Sequence, residues 1–138
     1  MIDWSLLILR IGVGCLFIVH GSQEAFGVFG GTGIQGFACY LSGMGFPQSV
    51  LLAHVSAYLK ITAGVCISVG LFTKRLLFLL LMLIFAAVVK VHIAKGAFIL
   101  EGDEYKFILY SVLTVLLMLG PGNFSIIKKL KKHLKNEI

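Results

Sequence analysis

The chain has 138 residues, 59% of them hydrophobic and 13% charged, with a mean hydropathy of +1.01. Soluble domains carry about a quarter of their residues as charges, so a soluble fold is excluded and an integral membrane protein is expected. The net charge of +6 does not argue for nucleic acid, because five of the twelve basic residues fall in the tail from Lys128 to Lys135, where they act as an orientation signal and a contact for anionic lipid.

The first apolar run, 5–21, has no basic stretch before it and no Ala-x-Ala site after it, so it is expected to remain as a helix rather than be removed. With the runs 50–72 and 76–93 it approaches the roughly 20 residues that cross a bilayer core. The fourth run, 106–120, is shorter and ends at Gly120-Pro121-Gly122. Tyr105 and Lys106 can sit in the interface and lengthen it. The expected fold is therefore all-α: one four-helix membrane bundle over 1–138, with a glycine- and aromatic-rich outer loop between the first two spans. Lys74-Arg75 in the short link after the second span, together with the basic tail over 125–138, place both termini in the cytoplasm of a cell whose inner membrane holds the bundle. The glycine-rich loop and the segment from Lys95 to Tyr105 then face outward. Gly12, Gly14 and Gly21 in the first span, and Ala53, Ala57, Gly64, Ser68 and Gly70 in the second, permit close backbone approach.

The outer loop contains Gly31-Thr-Gly33-Ile-Gln-Gly36, which has the G-x-G-x-x-G spacing of a dinucleotide fingerprint. That fingerprint works as a turn between a strand and a helix, with an acidic residue about 20 positions on. Here a membrane span precedes it, and Tyr58 and Lys60 stand where the acid belongs. No nucleotide is expected. Gly27, Gly30, Gly31 and Gly33 are read instead as shaping a re-entrant or interfacial loop, with Phe26, Phe29, Phe37, Tyr40 and Phe46 dipping into the interface.

Charges inside the spans need a reason, since each costs about 2.5–3.5 kcal/mol at the bilayer centre. Arg10 lies roughly 8 Å into the first span at about 1.5 Å per residue, and either snorkels inward or has an internal partner. Lys60 lies roughly 15 Å into the second, too deep to reach water by snorkelling. Its candidate partner is Glu24, which shares a face with His20 if the first helix runs one turn further, and a stripe with Arg10 and Phe17; the alternative is a solvated Glu24 and a Lys60 facing another subunit. Lys90, His92 and Lys95 form a cationic rim that either attracts an anion or marks the interface. His20, His54 and His92 come from three spans at a similar outer depth. No H-x-x-x-H pair or acidic companion gives them a metal geometry, so no metal is expected. A proton-handling role beside a quinone oxygen fits better, because histidine titrates near neutral pH. Cys15, Cys39 and Cys66 form no C-x-x-C pair, and the two within spans read as small apolar residues.

The pattern Arg10, His20-Gly21-x-Gln23, Phe26-Gly27-x-Phe29-Gly30-Gly31-x-Gly33 resembles the first half of DoxX-family membrane proteins. The resemblance continues through Gly64, Gly70-Leu-Phe-Thr-Lys-Arg75, Val91-His92, Gly102-x-Glu104-Tyr105 and Leu119-Gly120-Pro121-Gly122. It implies a small four-helix inner-membrane protein, linked in some members to thiosulfate oxidation with quinone as acceptor and in others to membrane thiol and oxidative-stress complexes. Relatives usually carry Lys at position 24 and Glu at position 60. Both signs are reversed here, as an ion pair tolerates.

The reading is thus a membrane subunit that interacts with quinone or a redox partner in a membrane oxidoreductase or oxidative-stress system, with His20, Gln23, His54, His92, Glu104 and Tyr105 as candidate ligand contacts and Arg10, Glu24, Lys60 and Lys90 as an intramembrane charge network. No cofactor is attached, because C-x-x-C-H and cysteine clusters are missing from the sequence. The alternative is a non-catalytic anchor or assembly factor for a soluble partner. A four-helix exporter fits poorly, since the first span carries Arg10 rather than a carboxylate. The lipid bilayer and a second copy or a partner subunit are the expected contacts.

Overall fold

In the computed structural model the described residues are 2–71, 73–95, 104–120, 122, 124–126, 132, 133 and 135. They form five helices: α1 (Ile2–Phe26), α2 (Gly33–Gly43), α3 (Ser49–Val69), α4 (Thr73–Lys95) and α5 (Glu104–Leu119). No strand occurs among the described residues. Asp3–Phe26 and Ser49–Val69 are long and apolar enough to cross a bilayer, and Phe107–Leu119 is a shorter apolar helix. Their outward faces are apolar as well: Ile8, Ile11, Val55, Phe78, Phe85, Ile108 and Met118 are all exposed, a surface suited to lipid rather than water.

α1 and α3 make the closest contact in the fold, antiparallel and nearly backbone to backbone. A Cβ on Gly14 would collide with the Gly64 carbonyl and the Ser68 side chain, one on Gly64 with the Gly14 carbonyl and Ile18, and one on Gly21 with the Ala57 carbonyl and Ile61. Helices in lipid gain nothing from hiding apolar surface from one another, so such van der Waals contact holds them together. Beside this seam, Leu6, Val13 and Phe17 of α1 join Ala63 and Ile67 of α3, Leu77, Leu80 and Leu81 of α4, and Leu113 and Leu116 of α5 in one buried core.

The start of α1, the α3–α4 turn and the end of α5 meet at one end of the molecule. α3 stops at Gly70, in a left-handed conformation (φ 76°) with Leu71 N–H donating to the Cys66 carbonyl at 2.7 Å. Arg10 is 1% exposed and its guanidinium lies against Gly70, with buried Ser125 beside it. It therefore does not snorkel; it is enclosed by the turn and the segment after α5.

Two boundaries differ from the sequence expectation. α1 runs to Phe26 rather than ending near Gly21, because Ser22 to Phe26 continue the helix until Gly27 turns left-handed (φ 69°). The expected outer loop contains α2. Its glycines lower helix propensity, but Ile34, Phe37, Ala38 and Leu41 recur at helical spacing, and Ala38 is buried as α2 packs on α1 and α3. Phe26, Phe29 and Tyr40 are exposed, whereas Phe37 and Phe46 turn inward.

Gly14→Leu or Gly64→Leu should separate α1 from α3 and lower stability in detergent by about 1–3 kcal/mol or more, the usual cost of overpacking. Gly12, whose Cβ would meet open space, should accept Leu with little change in thermal midpoint.

Candidate functional site

Away from the Arg10 end, the helices diverge around a cavity of about 340 Å³. Leu16, Phe17, His20 and Glu24 line it from α1, Phe37, Tyr40 and Leu41 from α2, Leu52, Ser56 and Lys60 from α3, Leu83, Ile84, Ala86 and Ala87 from α4, and Leu109 from α5, with Met44 and Phe46 from the turn after α2. The walls are mostly apolar, and the charge is concentrated in one place.

That place is the Glu24–Lys60 pair. Lys60 Nζ donates to Glu24 Oε1 at 2.6 Å and to Oε2 at 2.7 Å, with the two side chains 16% and 20% exposed. The extra helical turn of α1 carries Glu24 toward α3, and the glycine seam brings the backbones near enough for the four-carbon lysine stem to span the rest. Phe37 of α2 lies under the ammonium, 5.2 Å from ring centre to Nζ, adding a cation–π contact. Three helices thus meet on one charge pair.

His20 stands one turn before Glu24 on the same face. Its Nδ1 is 3.1 Å from the Leu16 carbonyl. A carbonyl only accepts, so Nδ1 carries the hydrogen, and in the neutral ring Nε2 is the acceptor. Ser56, which is buried, and Tyr40, which is exposed, add hydroxyls to the wall.

The remaining sequence candidates go elsewhere. Gln23 Nε2 donates to the Phe29 carbonyl at 3.2 Å and Gly27 N–H donates to the Gln23 carbonyl at 3.1 Å, so Gln23 stabilises the turn after α1 and does not line the cavity. In that turn Gly27, Gly30 and Gly33 have φ of 69°, 78° and 66°, and Gly31 presses on the backbone of Gln23 where a Cβ has no room. The dinucleotide-like spacing runs from the tight turn into the first turn of α2, and the element before it is a helix, not a strand. His54 is exposed, with Nδ1 2.9 Å from the Val50 carbonyl, and does not join His20. The charges do not form one network: Arg10 lies at the opposite end, and Lys90 donates to the Gly45 carbonyl at 3.1 Å over the Phe46 ring. The side chains of His92, Glu104 and Tyr105 lie outside the described ones. Sequence reasoning places Tyr40 at the membrane interface and assigns no role to Ser56, Ala86 and Ala87, all of which line the cavity.

An all-α protein with lipid-suited faces and a charge pair set in an apolar cavity fits a membrane protein with an internal cavity. The chain belongs to the DoxX family, whose model matches residues 5–93. That stretch holds every cavity-lining residue except Leu109. No curated protein and no solved structure matches the chain.

Glu24→Lys or Lys60→Glu alone should cost about 3 kcal/mol, the lower end of what an uncompensated buried charge costs, and reduce folded yield. The double exchange should restore most of it. Equal yields from all three variants would show that the pair contributes nothing to folding.

Proposed function

We propose that this chain is a four-pass inner-membrane subunit that binds a quinone in the cavity and serves a membrane oxidoreductase or oxidative-stress system. The observation that carries the reading is the apolar cavity of about 340 Å³ with Glu24, Lys60 and His20 at one side, a size within the roughly 300–1,000 Å³ of small-molecule sites. A quinone ring needs apolar walls for its faces and hydrogen-bonding groups for two carbonyl oxygens. Lys60 has three N–H donors, more than the two contacts to Glu24 require. His20 can hand a proton to, or take one from, an oxygen on the ring. Quinol oxidation releases two electrons with two protons, and since the sequence has no flavin, haem or iron–sulfur ligand pattern, the electrons are exchanged with a partner protein.

In this arrangement α1, α3, α4 and α5 cross the membrane. α2, with 11 residues at about 1.5 Å each, is too short to cross. Lys74 lies beside Gly120, at the end shared by the start of α1 and the basic tail, which favours that end in the cytoplasm. The exposed apolar surface leaves room for a second copy or a partner subunit. The other reading, an anchor or assembly factor for a soluble protein, would be favoured by crosslinked pull-downs that recover one stoichiometric soluble partner.

The test is extraction. Protein purified in mild detergent should carry quinone, and added quinone should raise its thermal midpoint. His20→Ala, and Glu24→Gln with Lys60→Met, which removes both charges and strands neither, should each weaken binding at least about tenfold, as expected for hydrogen bonds worth about 1.5–3 kcal/mol. Extracts without quinone, and a midpoint indifferent to added quinone, would sink the proposal.

A further inference from the structure

The cavity is closed unevenly. On the α1–α3 side the glycine seam leaves no gap, and toward Arg10 the core begins at Phe17, 2% exposed. At the loop end Lys90 reaches from α4 to the turn after α2, donating to the Gly45 carbonyl and covering Phe46, itself a cavity residue. The lining residues that are also exposed are Tyr40 of α2, 52% exposed, Leu52 of α3, 36% exposed, and Ala86 and Ala87 of α4. α2 packs on α1 and α3 and scarcely touches α4, so the small side chains of Ala86 and Ala87, one helical turn from the Lys90 clasp, stand on the side of α4 that α2 does not cover. The neighbouring outward residues of α4, Met82, Phe85 and Val89, are exposed and apolar.

The geometry points to a lateral, lipid-facing entrance between α2 and α4 that admits an amphiphile, with its polar ring on the Glu24–Lys60 pair and its apolar tail remaining in the bilayer. The volume supports this, since about 340 Å³ is near the lower limit for small-molecule sites and holds a ring-sized head without a long tail. The tail must leave through an opening, and this opening faces lipid. The inference rests on the cavity being a ligand site; the location of the entrance is tested separately from the ligand's identity.

One substitution does both. The chain has a single tryptophan, Trp4, so Trp4→Phe with Ala87→Trp places the only indole at the entrance and also fills it. In vesicles its emission should be quenched by nitroxide-labelled phospholipid far more than by aqueous iodide. The reverse would overturn the lateral entrance whatever the ligand. The same variant should slow uptake of a long-tailed quinone at least about tenfold while a tail-less benzoquinone keeps most of its affinity. Val89→Trp, also exposed on α4 but outside the cavity, should leave both unchanged and controls for folding. Equal effects on the two quinones at position 87 would overturn the tail path. If the unsubstituted chain binds neither quinone, the quinone reading fails, and the quenching result alone then decides the entrance.

Discussion

The close approach of α1 and α3 is the constraint on which the rest depends. In a bilayer, burying one leucine against another gains little over burying it in lipid, so helix position is set by how near two backbones can come and by polar contacts between them. Gly14, Gly21, Ala57 and Gly64 remove the side chains that would hold the helices apart. The axial register they impose places Glu24 and Lys60 within reach of each other. A looser pair of helices would leave both charges to find separate solutions in a medium that penalises each.

The charge pair in turn organises the wider end of the fold. α2 is short, and it is tied to this end by Phe37, which sits beneath the Lys60 ammonium, and by buried Ala38. Polar groups satisfied within the wall of a cavity do not have to rearrange when a ligand arrives, so a ligand of the kind proposed would meet a preorganised charge pair and lose less to ordering. An apolar cavity with one fixed polar point also orients what enters it.

Much of the helical pattern is legible in the amino-acid order, because long apolar runs have few alternatives in a membrane. The end of α1 and the whole of α2 are less so. Glycines at 27, 30, 31 and 33 read as loop, and they do form a turn, but the Ile34, Phe37, Ala38, Leu41 spacing that makes the next stretch helical is hidden among them. The site shows a sharper limit. Spacing gives depth along a span but not rotation about it, so His20 and His54 looked like neighbours at one level, whereas His54 points away. Glu24 and Lys60 were easier to match, since a deep lysine needs a counter-charge and few carboxylates are near. Ala86 and Ala87 carry no chemical mark, and only the packing around them shows that they line the cavity.

The enclosure of Arg10 has a consequence for how the chain is made. Its charge enters the membrane with the first helix, but the surfaces that surround it, Gly70 at the end of α3 and Ser125 beyond α5, are synthesised much later. Until the last of them arrives, the guanidinium has to stay near the aqueous boundary or bend the lipid around it. Enclosure is therefore tied to completion: a chain stopped short of Ser125 would lack part of the wall that surrounds the charge of its first helix in the finished fold.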